Sequence, residues 1–110
     1  MYSHVRVVLM GTSHPGNIGA VARAMKNMGL ENLVLVAPRA APDGDSMSRA
    51  AGALDVLDKA KTFSTLEEAV ADCSLVIGAS ARNRKIPWPV MNPRDCAEKV
   101  YIHSRKESVA

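Results

Sequence analysis

The sequence predicts an α/β fold, a parallel sheet flanked by helices, and three observations carry that reading. Short apolar runs rich in β-branched residues recur at 5–10, 33–36 and 75–79. Segments of helical periodicity separate them, and glycines gather where the first run hands over to the first helix. Strands that alternate with helices pair in parallel through right-handed crossovers. A chain of 110 residues is the length of one small domain, so 1–110 reads as a single unit.

Each element has a local reason. The run Val5-Arg6-Val7-Val8-Leu9-Met10 is interrupted only by Arg6, and its length and branching favour a buried strand over a helix. Gly-Thr-Ser-His-Pro-Gly, 11–16, is a loop by its turn chemistry. Ile18, Val21, Ala22, Met25 and Met28 then recur at helical spacing, and Gly29 is placed to end that helix. Leu33-Val34-Leu35-Val36 is a second buried strand, stopped by Ala37-Pro38. Residues 39–45 read as loop, 46–52 as a short helix, and Val56-Leu57 fits either state.

Ser64 and Thr65 each have a Glu three residues on, so either can form a capping box and open a helix to about Ala71. Leu75-Val76-Ile77-Gly78-Ala79 is the expected third strand, and a loop holding Pro87-Trp88-Pro89 follows. Asn92-Pro93 supplies an N-cap and a proline at N1 for a last helix to about Val100. Ser108-Val109-Ala110 turns apolar again, as the start of a strand does.

Bulk properties exclude several classes. Apolar content of 47% and charged content of 23% are those of a globular domain. Only 4% is aromatic, so the core rests on aliphatic residues and methionine. A net charge of +3 is compatible with a nucleic-acid partner without demanding one. Cys73 and Cys96 lie in no CxxC pattern, which indicates neither a zinc site nor a disulfide framework, and no metal is expected. No apolar run approaches membrane-spanning length and no signal-peptide core is visible, so a cytoplasmic location is expected.

The chemistry concentrates at Gly16-Asn17-Ile18-Gly19-Ala20-Val21-Ala22-Arg23. In open α/β folds ligands bind outside the carboxyl ends of the strands, beside such junctions. A dinucleotide site needs Gly-x-Gly-x-x-Gly here and an acid after the second strand; the long turn and Val36-Ala37-Pro38 argue against it. No Gly-Lys-Ser/Thr of a P-loop is present. Arg23 points away from the apolar stripe, which by itself fits a solvated arginine as well as a functional one. Asn17 suits a helix N-cap.

The segment from Gly11 to Leu30 resembles the first motif of the SpoU-type RNA ribose methyltransferases, knotted α/β enzymes of the SPOUT superfamily, and most closely their tRNA-modifying members. Leu33-Val34-Leu35-Val36-Ala37-Pro38, and Gly78-Ala79-Ser80-Ala81-Arg82 with Pro87-Trp88-Pro89 behind it, follow in the family's order. The resemblance implies S-adenosylmethionine as methyl donor, a ribose 2′-hydroxyl of tRNA in the anticodon loop as acceptor, and a homodimer. It implies Asn17 and Arg23 as catalytic residues and Ala79, Ser80 and Ala81 as cofactor contacts. The family's second and third motifs, which tie the knot, lie beyond the matched region, so the chain is expected to be the N-terminal part of that domain. Residues 1–110 alone are expected neither to hold the cofactor tightly nor to methylate RNA.

Arg82, Arg84 and Lys85 form a small basic loop that can meet RNA phosphates, with Trp88 bracing it. Lys99, Arg105 and Lys106 read as a solvated helix end, and His14 as an exposed loop residue. The rival to the enzyme is a non-catalytic half-domain that keeps the RNA-facing surface.

Overall fold

In a computed structural model of the chain, residues 4–12, 14–39, 51–79, 91–105 and 107–110 are described. Strand β1 (Arg6–Met10) leads into helix α1 (Pro15–Asn27) and strand β2 (Asn32–Val36). A single 3-10 turn (Ala51–Ala53) runs into α2 (Leu54–Asp58), then strand β3 (Lys61–Phe63), α3 (Leu66–Ala69) and α4 (Pro93–Ser104).

The sheet is parallel. β1 pairs with β2 from Arg6↔Asn32 to Met10↔Val36, and β2 pairs with β3 from Val34↔Lys61 to Val36↔Phe63. On the far side of β1 lie the last residues of the chain. Val109 N–H donates to the His4 carbonyl (2.8 Å), and Arg6 N–H donates to the Val109 carbonyl (2.7 Å). Its neighbours reach outward: Ser74 N–H donates to Ser108 O (3.0 Å), Ala110 N–H to Leu75 O (3.0 Å), and Ile77 N–H to Ala110 O (2.9 Å). Residues 108–110 are therefore wedged between β1 and 74–77, and both bridges of Val109, to Val5 and to Leu75, are parallel.

One expectation is corrected here. The third ladder strand is Lys61–Phe63, not 75–79. Lys61 and Thr62 are exposed on an edge strand, so no apolar run announces it. The 75–79 run makes only an isolated bridge, because its sheet neighbour is the three-residue segment 108–110. The apolar turn of sequence at Ser108-Val109-Ala110 joins the sheet through the two isolated bridges of Val109.

Both faces of the sheet are covered, as parallel sheets require. Side chains of a strand alternate between faces. Leu33 and Leu35 pack with Ile18, Ala22, Met25, Ala53 and Val56 under α1 and α2. Val34 and Val36 pack with Ala69, Val8 and Phe63 on the other face. In the α1 stripe Met25 is buried, whereas Met28 is 68% exposed because it is the C-cap rather than part of the helix. Gly29 ends α1 as expected: its φ is +75°, its N–H donates to Lys26 O (3.2 Å), and Leu30 N–H donates to Met25 O (2.8 Å), a Schellman pair.

Thr65, not Ser64, caps α3. Its Oγ1 accepts from Glu68 N–H (3.3 Å) and donates to Glu68 Oε1 (3.2 Å), and the helix closes at Ala69, short of Ala71. Asn92 caps α4 by accepting from Asp95 N–H (2.8 Å), and α4 runs four residues past Val100. The Val56-Leu57 pair is helical, and positions 46–50 of the expected short helix lie outside the described residues.

Arg6 explains the one break in the first apolar run. Its guanidinium donates to the Ala69 carbonyl at the end of α3 (3.1 Å) and grips both carboxylate oxygens of Asp72 (2.5 Å each). A cation at a helix carboxyl end satisfies a carbonyl that no helical N–H reaches. The Arg6 hydrogen bonds hold the Asp72 carboxyl down at about 2, from an ordinary 3.8. A folded-state value below the unfolded one stabilises the fold fully above the ordinary range, and that contribution is lost as pH falls through the lowered value.

Two outcomes follow. Thermal melts should show the wild-type midpoint falling as pH drops from about 4 to about 2, and Asp72→Asn should flatten that fall; parallel curves would refute the tie. Val109 is 1% exposed, so Val109→Ala should cost about 2 kcal/mol in urea unfolding, and a loss below about 0.5 kcal/mol would contradict its place in the sheet.

Candidate functional site

The junction singled out in sequence stands at the carboxyl end of β1. Gly11 takes φ +59°, and its N–H donates to the Val36 carbonyl (2.9 Å), turning the chain away from β1 against the end of β2. α1 then starts at Pro15 with His14 as N-cap, extended at φ −106° and ψ 110°. The N-cap expectation for Asn17 is corrected. With proline at N1, Asn17 falls at N3, and its backbone N–H donates to the His14 carbonyl (3.0 Å). With the rigid proline at N1, the N-cap is His14, three residues upstream of Asn17.

Ile18, Gly19, Ala22 and Met25 are buried on α1, while Asn17, Ala20, Arg23, Ala24 and Asn27 are exposed. Arg23 therefore stands clear of the core, as its spacing implied. Together with Ala20, Ala24 and Asn27 it lines a shallow groove of about 560 Å³ along the helix. The alanines leave room beside the guanidinium. Asn17 and Arg23 are six residues apart, which on a helix is about 9 Å of rise and about 120° of rotation. Ala20, three residues from each, lies between them.

Ala79 is exposed just beyond the segment paired with 108–110, at the end of the sheet where the parallel strands finish. A Cβ added at the preceding Gly78 would meet nothing within 4 Å, so this stretch of backbone is open to an incoming group. Ser80, Ala81, Arg82, Arg84, Lys85 and Trp88, along with Ser13 and Lys106, lie outside the described residues. Lys99 and Arg105 are exposed on and beside α4, and the Arg105 guanidinium lies over the Tyr101 ring (5.9 Å).

Both cysteines are free and half-buried. Burial pushes the Cys73 thiol up despite the nearby Arg6 charge, which does not favour a reactive thiolate. Among the described residues no cluster of three or more His, Cys, Asp or Glu could hold a metal ion, and no helix is long and apolar enough to cross a membrane.

Sequence reasoning passed over one cation of this region. Arg39 follows β2, and its backbone N–H donates to the Thr12 carbonyl (3.0 Å), which ties it to the loop before α1. It sat in a stretch read only as loop. Strand order is what places it beside the glycine junction.

A parallel sheet whose first βα junction presents an exposed Asn and Arg on a glycine-rich helix start defines a methylase-like α/β domain. The chain belongs to the SpoU rRNA methylase family, whose model matches residues 4–102. It is 58% identical over 103 residues to the tRNA (cytidine/uridine/adenosine-2'-O-)-methyltransferase TrmJ of Pseudomonas aeruginosa, covering 94% of this chain and 40% of that protein. It is 51% identical to the tRNA (cytidine/uridine-2'-O-)-methyltransferase TrmJ of Salmonella typhimurium over its whole length, which is 45% of the relative. Among solved structures, TrmJ from Z. mobilis superposes with a TM-score of 0.89 at 37% identity, covering 99% of this chain and 47% of the other. A probable methylase family protein from Haemophilus influenzae superposes at 0.91 with 47% identity, covering 100% and 46%. The chain thus spans less than half the length of these relatives.

The turn at Gly11 yields a clean test. An added Cβ there meets nothing within 4 Å, so the cost of Gly11→Ala is that of the left-handed backbone alone, about 1–2 kcal/mol in denaturant unfolding. Gly11→Asn should recover part of the loss; a neutral alanine would show that the turn relaxes.

Proposed function

We propose that this chain carries the first catalytic motif of an S-adenosylmethionine-dependent tRNA 2′-O-methyltransferase. The observation that carries the proposal is the placement of Arg23: a free-standing cation in a groove of small residues, on the helix that opens at the glycine junction. The family and the relatives' printed activities support the same reading.

S-adenosylmethionine would supply an activated methyl group to the ribose 2′-oxygen, and the hydroxyl proton would be released. The open Gly78–Ala79 backbone fits a contact with that cofactor, and Ala79, Ser80 and Ala81 are the residues proposed to make it. Arg23 is a poor general base, because a guanidinium stays protonated in proteins. Its role is electrostatic: it holds the reacting ribose and neutralises the alkoxide that develops as the proton leaves. Asn17, about a turn and a half away, serves another atom of the same substrate rather than the Arg23 side chain. Arg82, Arg84 and Lys85 are proposed to meet RNA phosphates. An anticodon-loop target, a cytoplasmic location and a homodimer belong to the same proposal.

In the full-length protein Arg23→Ala should lower kcat for tRNA methylation by roughly 10²–10³. The melting midpoint should stay unchanged, because the side chain is exposed. Near-normal turnover would return Arg23 to the role of a solvated surface residue.

A further inference from the structure

We infer that a second crevice, at the carboxyl ends of β1, β2 and β3, is a binding site for one nucleotide of the RNA, with Arg39 as its phosphate ligand. The inference rests on the RNA substrate proposed above, and the crevice shares no lining residue with the α1 groove.

The crevice is an open depression of about 550 Å³. Gly11, Ala37, Arg39, Ser64 and Glu67 line it. Its floor is the turns that leave the sheet, and they are stapled to one another. Gly11 N–H donates to Val36 O (2.9 Å), Ala37 N–H to Phe63 O (2.9 Å), and Arg39 N–H to Thr12 O (3.0 Å). Ala37 holds φ +42°, a left-handed conformation that costs an alanine about 1–2 kcal/mol. Non-glycine residues in such conformations cluster at ligand sites, where the surroundings enforce them. Here the effect is to turn the chain sharply after β2 and set Arg39 over the ends of the strands.

The polar groups select the ligand. Among the described residues Arg39 has no ion-pair partner, and it is the cation that lines this crevice. Its planar fork suits a phosphate. Glu67 lines the same crevice, and a carboxylate repels a bare anion. It accepts hydrogen bonds only, as ribose hydroxyls and exocyclic amines donate them, and the Ser64 hydroxyl does either. One cation with a carboxylate and a hydroxyl beside it matches a nucleotide better than inorganic phosphate. The crevice lies at the carboxyl ends of the strands, the end of the sheet from which the chain turns at Gly11 toward α1.

The test uses the full-length protein and an unmodified tRNA transcript. Arg39→Ala should weaken tRNA binding roughly tenfold at low salt, and should reduce the slope of log affinity against log salt by about 0.7–0.9 between about 50 and 200 mM. KM for tRNA should rise with kcat and cofactor affinity unchanged. Arg39→Lys should restore the salt slope, which a merely structural role would not do. A wild-type slope in Arg39→Ala, or no recovery of slope by lysine, overturns the inference. Saturable UMP binding that depends on Arg39 while tRNA affinity does not would also overturn it, by assigning a free nucleotide instead. If the wild-type protein binds tRNA through Arg39 yet methylates none, the proposed function fails and this site stands.

Discussion

The arrangement depends on one pairing across the length of the chain: residues 108–110 hydrogen-bonded on one side to His4 and Arg6 and on the other to Ser74, Leu75 and Ile77. A parallel strand needs partners for its backbone groups on both sides unless water serves one of them. With 108–110 in place, the amino end of β1 is flanked on both sides, by Val109 at Val5 and Arg6 and by β2. Val109, itself almost wholly buried, converts two separate pieces of the chain into one continuous layer.

Three polar ties among the described residues join elements around that layer. Arg6 lies on the face of β1 toward α3, and its contacts with Ala69 and Asp72 pin the turn that carries the chain on to 74–77. Lys26 reaches Asp55 (2.8 Å) and joins the end of α1 to α2 on the opposite face. His4 Nδ1–H donates to the Ser104 carbonyl (2.8 Å), so the last turn of α4 is drawn to the start of β1 just before residues 108–110 enter the sheet. Both exposed ion pairs are worth little singly in water. Their value is positional, since each joins elements that share no ladder.

The fold was legible in the sequence wherever burial imposed a period. α1 showed itself by the spacing of Ile18, Ala22 and Met25, and β2 by four consecutive apolar residues, because α1 and α3 cover both its faces. Capping chemistry placed the starts of α3 and α4. β3 was not legible: an edge strand of three residues with two exposed leaves one apolar residue, Phe63, to signal it. The 75–79 run failed in the other direction: it is apolar, yet it joins the sheet only through the Leu75 bridge to Val109, and Val76 is exposed. Arg23 was legible because a helical period says which residues leave the core. Arg39 was not, because what matters about it is which strands end beneath it, a property of topology and not of any local pattern.

The seat of 108–110 also bears on how the chain is made. β1, β2 and β3 are all synthesised by Phe63, but the partner on the other side of β1 arrives 46 residues later (Val109 less Phe63). At about 5–20 residues per second a ribosome needs roughly 2–9 s to cover that distance. For that interval the amino end of β1 lacks its Val109 partner, and so does Leu75 once it is made. Val109 then enters between two segments already made, Val5 on one side and Leu75 on the other, rather than beside one of them.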